Sequence, residues 1–340
     1  MSDRRGFFKE LLREAVDVVQ EVSSALQSVG EPEPWRPPPP VPARPSTRPV
    51  DDDMLLALCS EAGLDRRAAD VRRTARTGLR LTPAPLNPAP RDGAEPGRSR
   101  LGGSPDLPPG FVWPTWSGRE LGFLGQIDLA AIAAIDSETA LPPEGLLLFF
   151  YDVAAGPSGL SPAHRGSCRV VLVSARADEL EVDGRHTPVL RAFPVAVSRE
   201  LMLPGAWSFA AEELELSADE MDPWDDLRDR LARAQGVELE EACPDRIALH
   251  RLLGYQDEIG REIELDCQLA SAGVDAGDVS LYFESRGAQE AEARTWQLLL
   301  QVSADDSLAT PDERFDRLFI CIREADVRAG NFDGAWALLR

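Results

Sequence analysis

Apolar residues recur along this chain in two textures, and the change between them falls near residue 100. From Arg5 to Gln27, Phe8, Leu11, Leu12, Ala15, Val18, Val19, Val22, Ala25 and Leu26 fall at three-and-four spacing. That period predicts an amphipathic helix with one apolar face over 1–30. Residues Glu31–Val50 hold nine prolines and no apolar period, which predicts a semi-rigid polyproline linker over 31–50. On this reading Met1–Val50 is dispensable for folding of the rest. Asp51, Asp52 and Asp53 offer N-caps for a helix through Met54–Glu61, Gly63 breaks it, and a second helix is expected from Asp65 to Thr77. Gly78–Pro109 carries eight more prolines and one short apolar piece, Leu79–Leu81. Residues 51–97 are therefore expected to form a helical hairpin and an extended connector.

Beyond residue 100 the apolar residues gather in short runs bounded by Gly, Pro and Asp. These are Leu121–Leu129, Gly145–Val153, Cys168–Val173, Val189–Val197, Trp207–Leu216, Val279–Phe283, Trp296–Val302 and Leu318–Ile322. Such runs predict strands. The clearest helical pattern among them is Pro223–Gln235, with Asp225 and Asp226 beside its positive end. A doubly wound parallel fold would place a helix after nearly every strand. The pattern predicts instead an α+β fold with a largely antiparallel body over 98–340.

The runs also repeat. Leu101-Gly102-Gly103 is echoed by Leu252-Leu253-Gly254, Phe123–Ile127 by Leu298–Val302, and Leu147–Phe149 by Leu318–Ile320, in the same order. Two similar halves about a pseudo-dyad follow from this order.

Composition and charge narrow the function classes. Of 340 residues, 43% are hydrophobic and 28% charged, which suits a folded globular chain. The balance of 36 Lys and Arg against 58 Asp and Glu gives a net charge of −22. That charge repels nucleic acid and anionic membrane, and no apolar run is long enough to cross a bilayer. Up to Arg100 the chain has 16 basic and 15 acidic residues, so the acidity belongs to the body. Arg4-Arg5-Gly6-Phe7-Phe8-Lys9 imitates an export signal, but Glu10, Arg13, Glu14 and Asp17 interrupt the apolar stretch such a signal needs. The five cysteines are odd in number and unpatterned. Cytoplasmic residence with five reduced thiols is the expectation.

No Gly-rich phosphate loop and no G-x-S-x-G or H-E-x-x-H motif is present, and His164, His186 and His250 are scattered. Neither a cofactor nor a metal ion is expected.

Leu101–Pro108, Trp113-Pro114, Phe123–Leu129 and Leu146–Asp152, followed by His250–Tyr255, Trp296–Val302 and Leu318–Phe332, resemble the successive blocks of the YwqG family, also called DUF1963. The resemblance spans about 98–340. It departs at Glu313-Arg314-Phe315-Asp316, where the family usually has Trp-Gly-Asp-Ala-Gly, and after Tyr255, where Gln256–Gly260 replaces a Pro and a later Gln. A ligand of those loops would differ here. The resemblance implies a fold and leaves function open, and the family's association with toxin and immunity gene neighbourhoods favours partner binding.

The candidate site starts from Gln126 and Gln301, which occupy matching places in two apolar strands. A buried amide must find partners or cost about 1–3 kcal/mol. Either each glutamine points outward or ties down a neighbouring loop backbone, or both face a shared cleft at the pseudo-dyad with Trp113, Asp128, Asp152, Tyr255 and Trp296 nearby. Three functions fit. The first is a non-catalytic, immunity-type or regulatory module whose acidic body, including Glu212–Asp229, captures a basic protein. The alternative is an enzyme or small-ligand receptor with a cleft between the halves. The third is a scaffold acting through the N-terminal helix.

Overall fold

The computed structural model describes residues 50–83, 96–237, 250–257, 262–303 and 317–340. The helix expected over 1–30, the linker up to residue 49, Cys243 and Glu313–Asp316 lie outside the described residues.

The chain opens with α1 (Asp52–Glu61), which Asp51 caps by accepting the Met54 N–H, and α2 (Ala68–Thr74). Strand β1 (Arg76–Pro83) follows at once. The second helix therefore ends three residues earlier than expected, and Leu79–Leu81 is no connector. Leu79 and Leu81 are buried in a strand hydrogen-bonded on both sides.

The remaining strands are β2 (Arg100–Leu101), β3 (Asp106–Leu107), β4 (Thr115–Trp116), β5 (Arg119–Glu120), β6 (Gly122–Asp128), β7 (Leu146–Tyr151), β8 (Cys168–Val173), β9 (Glu181–Val182), β10 (Phe193–Met202), β11 (His250–Leu253), β12 (Trp296–Ser303), β13 (Arg317–Arg323) and β14 (Trp336–Leu339). Helices α3 (Leu129–Ile135), α4 (Phe209–Glu212), α5 (Ala218–Ala234), α6 (Ile263–Ser271), α7 (Val279–Ala293) and α8 (Glu324–Arg328) lie between them. Ten strands form one antiparallel sheet in the order β14-β13-β12-β11-β1-β10-β2-β6-β7-β8.

That order is symmetric about the β1–β10 pair. On one side β1 leads to β11, β12, β13 and β14, and on the other β10 leads to β2, β6, β7 and β8. The three sequence echoes fall on β2 and β11, β6 and β12, and β7 and β13. The likeness extends to irregularities, because β6 is bulged between Phe123 and Gly125 and β12 between Leu298 and Leu300. Strands β2 and β11 also end alike. Gly102 and Gly103 have φ of 64° and 71°, and Leu253 and Gly254 have 60° and 77°. Two successive left-handed residues turn the chain off the sheet in each half, and Leu253 adopts that conformation without being glycine.

Continuous apolar runs, rather than alternating ones, arise because both faces of the sheet are covered. On β7, Leu147, Phe149 and Tyr151 face a core shared by the two halves, whereas Leu148 and Phe150 pack under the stretch from Leu107 to Leu121. In the second half Leu298, Phe319 and Cys321 pack under α6.

Two runs are helices, not strands. The run Trp207–Leu216 contains α4, and Val279–Phe283 opens α7, where the Asp278 carboxylate accepts the Ser280 and Leu281 N–H groups. Helix α5 starts five residues before Pro223, at a capping box between Ser217 and Glu220.

Cys59, Cys168, Cys267 and Cys321 are buried and free. Burial pushes the Cys168 thiol up to about 12 and raises that of Cys267, so neither offers a thiolate near neutrality. These four thiols are expected to react with Ellman's reagent only on unfolding. Prompt modification of any of them in the native protein would contradict the packing.

Candidate interaction surface

The two glutamines are not brought together. Five strand steps separate β6 from β12, about 24 Å along the sheet, and both side chains are fully buried. Each does the same work in its own half. The Gln126 amide donates to Asp106 Oδ2 at 2.6 Å and to the Arg98 carbonyl at 2.9 Å, while its Oε1 accepts the Asp106 N–H at 2.9 Å. Gln301 donates to Asp257 Oδ2 at 2.7 Å and accepts the Asp257 N–H at 3.1 Å.

An arginine completes each clamp. Arg100 reaches Asp106 at 2.8 and 2.9 Å, and Arg251 bridges Asp257 and Glu200. Burial opposes ionisation of both aspartates. Arg100 in one half, and Arg251 with Gln301 in the other, nevertheless hold their carboxyls below the ordinary value. The shared-cleft expectation is thus corrected, because both amides are engaged in fastening the loop that leaves β2 or β11.

The other five positions are dispersed. Asp128 caps α3 by accepting the Ala130 and Ala131 N–H groups. The Tyr255 hydroxyl donates to the Thr74 carbonyl at 2.7 Å, with the Arg76 guanidinium 5.0 Å from its ring centre. The Trp296 indole donates to Gln268 Oε1 at 3.0 Å under Arg323. Only Trp113 and Asp152 share a neighbourhood.

That neighbourhood is built on a small hairpin, β4–β5. Ser117 and Gly118, with φ of 49° and 76°, supply the two left-handed residues of a tight two-residue turn. Arg119 reaches back from the hairpin to the buried Asp152 at 2.5 Å and lies over the Trp116 ring. The Trp113 indole donates to the Leu121 carbonyl at 2.8 Å, its edge meets Phe150, and the His186 ring stacks on it at 3.7 Å. His186 Nδ1 lies 2.9 Å from Asp183 Oδ2, and its Nε2 lies 3.5 Å from Glu120 Oε1.

Exposed apolar side chains lie near this stack among charged ones. Among the described residues six large hydrophobic side chains are exposed, and Val112 at 85%, Val182 at 59% and Val189 at 37% are three of them. Each lies on or against a segment that borders the stack. Val112 adjoins Trp113, Val182 adjoins the Asp183 that holds His186, and Val189 lies against Gly122 beside the hairpin. Neither Val112 nor His186 carries a sequence signal of its own. The Ser-Gly pair between Thr115-Trp116 and Arg119-Glu120 is the hint that could have found the hairpin.

The acidic stretch Glu212–Asp229 is largely neutralised from within. Glu212 meets Arg286 and Arg294, Asp226 meets Arg230, and the buried Glu220 accepts Arg67 at 2.7 and 2.9 Å. Arg66, Arg67, Ser217 and Glu220 line a cleft of about 350 Å³. The hydrogen bonds from Arg67, then from the Ser217 N–H, hold the Glu220 carboxyl well below its ordinary 4.5. A depressed folded value stabilises above the unfolded value and is lost as pH falls. Glu220→Gln is therefore expected to cost about 1–2 kcal/mol at neutral pH after allowance for partial solvent screening. The gap to the unaltered protein should close progressively in urea titrations below pH 4.5. An equal gap at all pH values would contradict this pairing.

Among the described residues no group of three or more His, Cys, Asp or Glu could hold a metal ion, and no helix is long and apolar enough to cross a membrane. The profile of a family described as "Domain of unknown function (DUF1963)" matches residues 99–340. Strand β1, at the centre of the sheet, precedes that match. No curated protein matches the chain.

Proposed function

This chain belongs to the DUF1963 family, which is defined by sequence and not by an activity, and we propose that it works as a non-catalytic protein-binding module of an immunity or regulatory kind. The observation that carries the reading is the exposure of Val112, Val182 and Val189 on or against the segments that border the Trp113–His186 stack. Exposed apolar side chains beside a tryptophan, with charged groups around them, have the make-up of a protein contact. The partner is a basic protein in the cytoplasm. Its charge is drawn in by the net −22 of this chain, and an apolar side chain seats against Val112 and Trp113.

A photo-crosslinking amino acid at position 112 of the full chain tests this. One basic protein is expected at near-stoichiometric yield, and Val182→Glu should weaken its binding about tenfold. The same products from a crosslinker at Gly287, on the exposed face of α7, would refute the assignment.

A further inference from the structure

The clamp that Gln126 closes in the first half fastens a strand pair as well as a loop. Its aspartate, Asp106, lies in β3, which runs antiparallel to β9 with Asp106 opposite Val182 and Leu107 opposite Glu181. The Asp183 N–H donates to the Pro105 carbonyl at 2.8 Å, while the Asp106 N–H turns the other way, to Gln126 Oε1 at 2.9 Å. Asp106 and Val182 are therefore a non-hydrogen-bonded pair, whose main-chain groups point away from each other. Those of Asp106 point into the clamp. Those of Val182 point outward, and among the described residues nothing bonds to them.

This edge is also uncovered. Val182 is 59% exposed, and Gly184, two places on, is exposed with open space where a β-carbon would stand. Strand β14 differs, because its outward Leu339 N–H is met by the Ser158 carbonyl at 3.1 Å. Proteins blunt an open edge with lysine, proline or a covering segment, and β9 carries neither lysine nor proline.

Resting on the binding role proposed above, we infer that β9 is where the basic partner adds a strand. An extended segment lies along the outer edge of β9 and exchanges main-chain hydrogen bonds with Val182. Charge selects its side chains. Arg176 is paired with Asp178 and Arg185 with Asp183, whereas the exposed Glu179 and Glu181 form no ion pair among the described residues. Glu181 and Val182 point to opposite faces of the strand. A segment of alternating basic and apolar residues matches both, with a basic side chain beside Glu181 and an apolar one beside Val182.

The probe is a fluorescent, end-capped peptide of alternating valine and lysine, about ten residues long, titrated with the full chain. By anisotropy it should bind about tenfold tighter than its fully N-methylated counterpart and about tenfold tighter than a valine–glutamate peptide of the same length. Val182→Pro deletes an outward N–H that the fold does not use, so it should keep the melting temperature and lose both margins. Val182→Thr keeps the main chain and should keep the margin over the N-methylated peptide. Equal binding of the plain and N-methylated peptides, or a Val182→Pro protein that binds as before, would overturn strand addition. Loss of cooperative melting in Val182→Pro would show that the N–H serves the fold, and would overturn the open edge. The Val112 crosslink separates the two claims. A specific basic product whose yield survives Val182→Pro leaves the binding role standing without the added strand. Peptide pairing on β9 without any specific product at position 112 refutes the Val112 contact and keeps the edge.

Discussion

Arg251→Met is expected to destabilise the protein by about 3–5 kcal/mol, because it takes from the buried Glu200 carboxylate the guanidinium it is paired with. Arg251 and Glu200 are both almost fully buried, and the guanidinium meets the two Glu200 oxygens at 3.1 and 3.2 Å. The same arginine holds Asp257, the residue that Gln301 also fastens. Its strand, β11, sits next to the central strand β1, so a local loss there propagates to both halves. A domain has about 5–15 kcal/mol in total, and much of the cooperative transition should go. Urea unfolding checks this. The matching Arg100→Met should cost less, since Asp106 keeps the Gln126 amide and the Gly97 N–H at 2.7 Å. Equal and small losses at both positions would mean that the clamps do not bear on stability.

Gly159→Ala is expected to be comparably damaging for a different reason. The segment around it lies on the outer edge of β14, where Ser158 accepts the Leu339 N–H at 3.1 Å and the Gly159 carbonyl accepts the Trp336 indole at 2.8 Å. Tyr151 ties the same segment to β7 through the Pro157 carbonyl at 2.7 Å. Gly159 has φ of 79°, and a β-carbon there would stand 1.9 Å from the Ala337 carbonyl oxygen. Left-handed strain and a backbone clash together are worth at least about 3 kcal/mol, or roughly 6–12 °C in Tm. Gly184→Ala, where a β-carbon meets nothing, is the control. A Tm change no larger than that of the control would show that the segment does not brace β14.

Four of the strands located from sequence, β6, β7, β12 and β13, are buried on both faces. A run such as Leu146–Tyr151 excludes water from every side chain, and no alternation is needed to recognise it. The repeat was legible for a related reason. Matching bulges and matching left-handed turns favour similar residues at the same places, and in Leu101-Gly102-Gly103 and Leu252-Leu253-Gly254 the leucine and the last glycine are shared while Leu253 stands in place of a glycine. A five-residue apolar run such as Val279–Phe283 carries too little periodicity to separate strand from helix, and its Asp278 cap together with packing on α6 decided for helix.

What the sequence by itself determined, then, is an acidic α+β chain with a doubled antiparallel body, because burial and backbone conformation act locally on residue type. What only the tertiary structure decided is which polar groups meet. That Gln126 and Gln301 need partners if buried follows from sequence alone, but that they are buried, and that each finds an aspartate and an arginine of its own half, depends on where the loops after β2 and β11 return. The Trp113–His186 stack depends likewise on a crossing segment more than 60 residues away in the chain. A contact of that kind leaves no period, spacing or composition in the sequence, since its cause is the path of the backbone through space.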